Sequence, residues 1–163
     1  MGNFSGIVVE KRCNRKFGKM DFKKLHPAGT LGAQLKTVED IMITGEKIPF
    51  VNENLKMDKA LKILTEKKLG ILIVKNKNKK TVGIITDGQI RRISQKNSNF
   101  QQLSVKKIMT KKPISIDKNE LAAKALSIMN NKKITSLCVY EKKNKFKTIG
   151  VLHIHNILQS NIS

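Results

Sequence analysis

The segment Gly83-Ile84-Ile85-Thr86-Asp87-Gly88-Gln89-Ile90 recurs in altered form 67 residues later, as Gly150-Val151-Leu152-His153-Ile154-His155-Asn156-Ile157. Each copy reads as a glycine, a short apolar strand, a polar turn and a helix start. An internal repeat constrains architecture more tightly than local propensity does, because whatever one copy folds into the other must match. The repeat extends upstream. Val38-Glu39-Asp40-Ile41-Met42 matches Val105-Lys106-Lys107-Ile108-Met109 at the same spacing, and predicts a short helical turn opening each copy.

A loop then leads to a strand, Ile48–Val51 in the first copy and Ile114–Ile116 in the second. Met57, Ala60, Leu61 and Leu64 recur at i, i+3, i+4 and i+7, which places them on one face of a helix. Ala122, Ala125, Leu126 and Met129 form the same stripe. Asn119 is placed to cap the second helix, and Asn54 or Lys56 opens the first. Apolar strands Ile71–Val74 and Ser136–Val139 follow. Lys/Asn-rich turns lead to the hairpin partners Thr81–Ile85 and Thr148–Leu152. Helices over Gly88–Ser94 and His155–Leu158 close the copies, with polar Gln95–Gln102 as the link.

Each half has roughly 60 residues, too few to bury a comfortable core alone, so two halves are expected to share one about a pseudo-two-fold axis. The expected division is a tail over 1–36, one unit over 37–98 and a second over 99–163. Pro27 and two glycines make Asp21–Gly32 a shaped loop rather than a helix, leading into Ala33–Lys36.

The net charge of +21 attracts anions: nucleic acid, acidic membranes or anionic metabolites. Only Arg12, Arg15, Arg91 and Arg92 among the 33 basic residues are arginine. The lysine excess, alongside abundant Asn and Ile, matches A/T-rich codon usage. No aromatic residues interleave with the basic ones in the manner of a base-stacking surface. Solvated lysine faces are therefore the expectation, ahead of nucleic-acid binding. No apolar run reaches the length of a membrane span, and the first residues lack a signal-peptide core. Cys13 and Cys138 make no disulfide framework, and a reducing, cytoplasmic setting is inferred.

The Val-x-x-Ile-Met openings, the amphipathic helices, the apolar strands and the Gly-apolar-apolar-Thr stretch together resemble a tandem pair of cystathionine-β-synthase (CBS) domains over residues 38–160. The resemblance implies an α/β fold of two βαββα units with an extended N-terminal tail. It also implies an anionic nucleotide or nucleotide-sugar ligand in the clefts between the halves, and self-association through the helices. His26-Pro27-Ala28-Gly29-Thr30-Leu31-Gly32, with Thr86-Asp87-Gly88-Gln89-Ile90-Arg91-Arg92 and the openings above, resembles the C-terminal part of the arabinose 5-phosphate isomerases. In that family a sugar isomerase (SIS) domain precedes the CBS pair and the reaction feeds lipopolysaccharide sugar (Kdo) synthesis. The resemblance gives His26 an active-site role, although Ala28 replaces a family glycine. The SIS domain is expected to be absent, so the chain alone is expected to be regulatory rather than catalytic. The alternatives are a share in isomerisation with a separate SIS protein, or a basic nucleic-acid-binding protein.

Candidate ligand-binding residues are Thr86, Asp87, Gln89, Thr135, Ser136, His153 and Asn156. A hydroxyl and a carboxylate at a strand–helix junction can bind a ribose while helix N–H groups face a phosphate; the same side chains can simply cap the helix. Gln89 and Asn156 stand where nucleotide-binding CBS modules carry a ribose-gripping Asp, and an amide loses the charge-assisted strength of a carboxylate. His153 and His155, two apart, would share a face on a strand, but no third ligand is evident, so neither a metal nor another cofactor is expected.

Overall fold

The computed structural model describes residues 35–162; Cys13, His26 and the rest of the tail lie outside them. The first half comprises α1 (Val38–Ile41), β1 (Phe50–Asn52), α2 (Met57–Lys67), β2 (Ile71–Lys75), β3 (Thr81–Thr86) and α3 (Asp87–Lys96). The second comprises α4 (Val105–Ile108), β4 (Thr110–Lys111), β5 (Ser115–Asp117), α5 (Ala122–Lys132), β6 (Ser136–Glu141), β7 (Asn144–His153) and α6 (Ile154–Ile162). The order agrees with the two like units expected from the repeat and with the tandem CBS arrangement that the resemblance implies.

One sheet runs β1-β2-β3-β4 and the other β5-β6-β7. In each, the first pair is parallel and joined through a helix, and the next is an antiparallel hairpin. The strands are apolar on both faces because both faces are covered. On β2, Leu72 and Val74 enter the core of their own half, while Ile71 and Ile73 meet Cys138 and Val151 of the other sheet. Ile48 joins this shared layer. Adjacent strand residues point to opposite faces, so one strand serves two cores.

The opening turns do not stay with the halves they begin. Val38, the buried residue of α1, packs with Ile116, Ala125, Met129 and Leu152 of the second half. Val105 and Ile108 of α4 pack with Met57, Leu64 and Ile85 of the first. The extended residues that follow each turn also cross over. Thr110 and Lys111 pair with Ile84 and Gly83, and Ile43 bridges Val151. The exchange satisfies first-turn donors at both helix starts, beside the one side-chain bond at α1 from Thr37 N–H to Asp40 Oδ2. The N–H groups of Val38 and Glu39 donate to the carbonyls of Glu120 and Lys118, and those of Val105 and Lys106 to Leu55 and Glu53. Orphan donors of a first helical turn are thus met by the backbone of the other half.

The same device replaces the expected cap at Asn119. The N-cap of α5 is Leu121, which has no side-chain oxygen to offer. Ala122 N–H donates instead to Lys36 O, 2.9 Å away, and Asn119 turns back, its N–H donating to Asp117 Oδ1. At α2 the N-cap is Lys56, and Met57 N–H donates to Leu103 O at 2.9 Å. Both helices end on a lysine in the left-handed region, Lys68 at φ 60° and Lys133 at φ 57°. The link between the halves is also less polar in structure than in sequence: α3 runs on to Lys96, and Phe100 is buried in the first core.

Candidate functional site

Two equivalent strand–helix junctions hold the residues singled out from the sequence. At the first, Thr86 ends β3 and Asp87 begins α3. Asp87 N–H donates to Gly70 O at 3.0 Å, tying the junction to the turn before β2. Gly70 has φ 69°, and a Cβ there would lie 3.1 Å from Asp87 Oδ2. The left-handed backbone favours glycine, and the Asp87 carboxylate would have to give way slightly to a Cβ there. Asp87 itself is exposed.

Thr86 Oγ1 accepts from Gln89 N–H at 3.3 Å, so the hydroxyl caps α3. The Gln89 amide is also engaged. Its Nε2 donates to Ile108 O and its Oε1 accepts from Thr110 Oγ1 at 3.3 Å. Gln89 therefore fastens α3 to the opening segment of the second half. Arg92 lies one turn along α3, and a Cβ on Gly88 would sit 3.5 Å from its guanidinium. The guanidinium folds back beside the first turn, where the helix dipole favours anions.

At the second junction Ser136 pairs with His153, and Ile154 N–H donates to Thr135 O at 2.8 Å. His153 ends β7 while His155 lies in α6, so the two do not share a strand. Their rings stack with centroids 4.7 Å apart. His153 Nδ1 accepts from His155 N–H at 3.1 Å, and Asn156 Oδ1 accepts from His153 N–H at 2.9 Å. Imidazole and amide thus cap α6 together. Burial holds the His153 pKa below the ordinary histidine value, with a further push from His155. Among the described residues no group of three or more His, Cys, Asp or Glu side chains is arranged to hold a metal.

The structure therefore brings Thr86, Asp87 and Gln89 together at one junction, and Thr135, Ser136, His153 and Asn156 at the other. It does not merge them into one constellation. The Ile108 carbonyl, Thr110 and Arg92 join the first junction without having been singled out. Arg92 had a signal, since it lies one helical turn from Gly88. The other two did not, because nothing in linear order shows that the opening of the second copy docks on the first.

The close fit of these openings explains the repeat glycines. A Cβ on Gly83 would meet Met109 Sδ at 2.6 Å and Thr110 O at 2.8 Å; on Gly150 it would meet Met42 Sδ at 2.6 Å and Ile43 O at 3.1 Å. Each glycine thus admits the methionine of the opposite opening.

Comparison with known proteins agrees with this architecture. The chain is 36% identical over 163 residues to the arabinose 5-phosphate isomerase KdsD of Salmonella typhimurium, matching 99% of this chain and 48% of that protein. It is 36% identical over 149 residues to an uncharacterised protein of Rickettsia prowazekii, matching 91% of this chain and 45% of that one. The chain thus spans about half the length of these curated relatives. Among solved structures, CBSX2 in complex with AMP superposes with a TM-score of 0.66 at 25% identity, covering 77% of this chain and 96% of that one. The CBS domain model matches residues 38–96 and again 105–162, and the chain belongs to the CBS domain family.

Proposed function

We propose that this chain is the ligand-sensing CBS pair of an arabinose 5-phosphate isomerase-type protein, and that it binds an anionic nucleotide or nucleotide-sugar at the Thr86–Asp87 junction. The observation that carries the reading is the Arg92 guanidinium lying beside Gly88 in the first turn of α3, the helix that Thr86 caps. Helix N–H groups and a guanidinium suit a phosphate, and the exposed Asp87 carboxylate suits a ribose hydroxyl. The AMP complex of a protein with this fold supports a nucleotide as the ligand class, and the resemblance to KdsD supports a place in the Kdo pathway. Self-association through the helices and a cytoplasmic setting belong to the same reading. Within it, residues 1–36 form the tail, and 37–98 and 99–163 the two CBS units.

Because Gln89 bonds both Ile108 and Thr110 of the second half, a ligand at this junction touches the contact between halves. Binding there would shift how the halves sit, the differential interaction that a regulatory module needs. Calorimetric titration of the full chain with AMP and with cytidine nucleotides tests the assignment. Saturable heat that is lost in Arg92→Gln and Thr86→Val is the expected result; no heat at millimolar nucleotide overturns it.

The 36% identity to KdsD also supports a second reading, in which His26 completes an isomerase site with a SIS domain. Aldose–ketose isomerisation needs an acid/base pair, so a histidine would act there only beside the other domain's groups. A SIS domain active with this chain and inactive with its His26→Ala variant is the expected result.

A further inference from the structure

The β2–β3 and β6–β7 hairpins come from different halves, yet their tips meet. Thr81 Oγ1 and Thr148 Oγ1 are 2.6 Å apart at the base of the tips, and Lys80 Nζ stands over the Phe146 ring at 5.6 Å from its centroid. Residues 75–80 contain four lysines and no acid, and residues 142–147 contain four more and no acid. Glu141, the acid next to the second tip, lies 3.9 Å from Lys118. Both tips are firmly built. Asn76 Oδ1 accepts from the N–H groups of Asn78 and Lys80, and Asn144 Oδ1 accepts from Phe146 N–H. Charge crowds across the pair: the pKa of Lys75 is lowered, first by burial, then by Lys79 of its own tip and Lys147 of the other. At the centre of this positive edge Phe146 is 64% exposed, against the expectation that a ring of this size is covered.

We propose that this edge is a binding surface for single-stranded nucleic acid, with the lysines tracking phosphates and Phe146 stacking on a base. The lysines are point charges without the planar fork that reads base edges, so recognition is independent of sequence. Lys80 supplies a cation–π contact to the ring. That contact also tells against an anionic bilayer, since burying Phe146 among acyl chains would drag an ammonium with it or forfeit the contact. A duplex keeps its bases inside the stack, beyond a ring on a blunt hairpin tip. The sequence shows one ring among the lysines of 142–147, too little for a stacking surface on its own; the lysines of the other tip, almost seventy residues away, join it only in the folded chain.

The test is fluorescence anisotropy of the full chain with a labelled oligo(U) of roughly 12 nucleotides, a length within the usual site size. With about five phosphates neutralised, affinity should fall about 100-fold between 50 and 200 mM salt. Lys77→Glu with Lys145→Glu should weaken binding at least about tenfold, while Lys59→Glu with Lys62→Glu on α2 should leave it nearly unchanged. Phe146→Ala and Phe146→Leu should each cost about tenfold for the single strand, the loss expected for a stacked base, and neither should alter affinity for a duplex. No saturable binding at low salt overturns the proposal. So does an equal loss in the two charge-reversed pairs, full affinity in Phe146→Leu, or tighter association with phosphatidylserine vesicles than with oligo(U).

Discussion

Thr81 and Thr148 donate and accept across 2.6 Å, and they occupy the same position in the two copies of the repeat. Equivalent residues in contact must straddle the axis that relates their halves, so this hydroxyl pair marks the pseudo-two-fold. Thr148 is buried and its hydroxyl also faces the Cys138 sulfur, whose pKa burial pushes up to about 12 while the hydrogen bond from Thr148 pulls it down. Thr148→Val should cost about 1 kcal/mol, because it strands the buried polar groups that faced it. The double variant Thr81→Val/Thr148→Val should cost less than the sum of the single changes. Urea unfolding of the four proteins gives the cycle.

Gly83→Ala should cost about 1–3 kcal/mol, the range for overpacking a filled core. Gly150→Ala should cost less. Both new methyl groups strike a methionine sulfur, which can swing aside, but at Gly83 the Thr110 carbonyl is also only 2.8 Å away and is held by strand pairing. At Gly150 the corresponding carbonyl is 3.1 Å away. Thermal melts that rank Gly150→Ala as the more damaging change would refute this account.

His153 makes stability depend on pH. Its folded pKa lies below the ordinary value of 6.5, so between the two the unfolded chain binds more protons than the folded one and stability rises with pH. The contribution is fully present above about pH 6.5 and is lost as pH falls through the depressed folded value. Protonation of Nδ1 also removes the acceptor that His155 N–H uses. Denaturation midpoints should drop on acidification in the wild type and drop less in His153→Asn.

Lys68 and Lys133 sit at positive φ where glycine is at ease. Lys133→Gly should therefore stabilise the chain by about 0.5–1 kcal/mol, the left-handed strain relieved less the unfolded-state entropy regained. Lys133→Ala keeps the Cβ and should give no gain. A melt of both variants separates conformational relief from loss of charge.

The sequence shows the helix stripes plainly. Ala122, Ala125, Leu126 and Met129 are all buried, and so are Met57, Ala60 and Leu64, with Leu61 on the margin of the same core. Side-chain periodicity is local physics, and the chain carries it in order. The destination of Val38 and Val105 is another matter. Each opening has nearly the same spacing from the segments of its own copy, and the two copies carry the same apolar pattern, so linear order does not show docking across rather than at home. Asn119 illustrates the same limit. Its side chain suits a cap, but Lys36, some eighty residues earlier, supplies the hydrogen bond first. At the candidate site the residue types at the junctions were legible, whereas the engagement of Gln89 with Ile108 and Thr110 depends on that crossing.

The exchanged openings bear on synthesis as well as on stability. Emerging from a ribosome, the first half holds its own strands and helices yet lacks Val105 and Ile108, which complete its core. It must wait, with Met57 and Ile85 incompletely covered, until the segment past Met109 has cleared the exit. The second half meets the opposite circumstance, since Val38 was made long before and is at hand when Ile116 and Leu152 appear. The contacts that complete each core are thus non-local by construction, which slows folding, and cleavage between Lys96 and Val105 would nick the chain without yielding two independent domains.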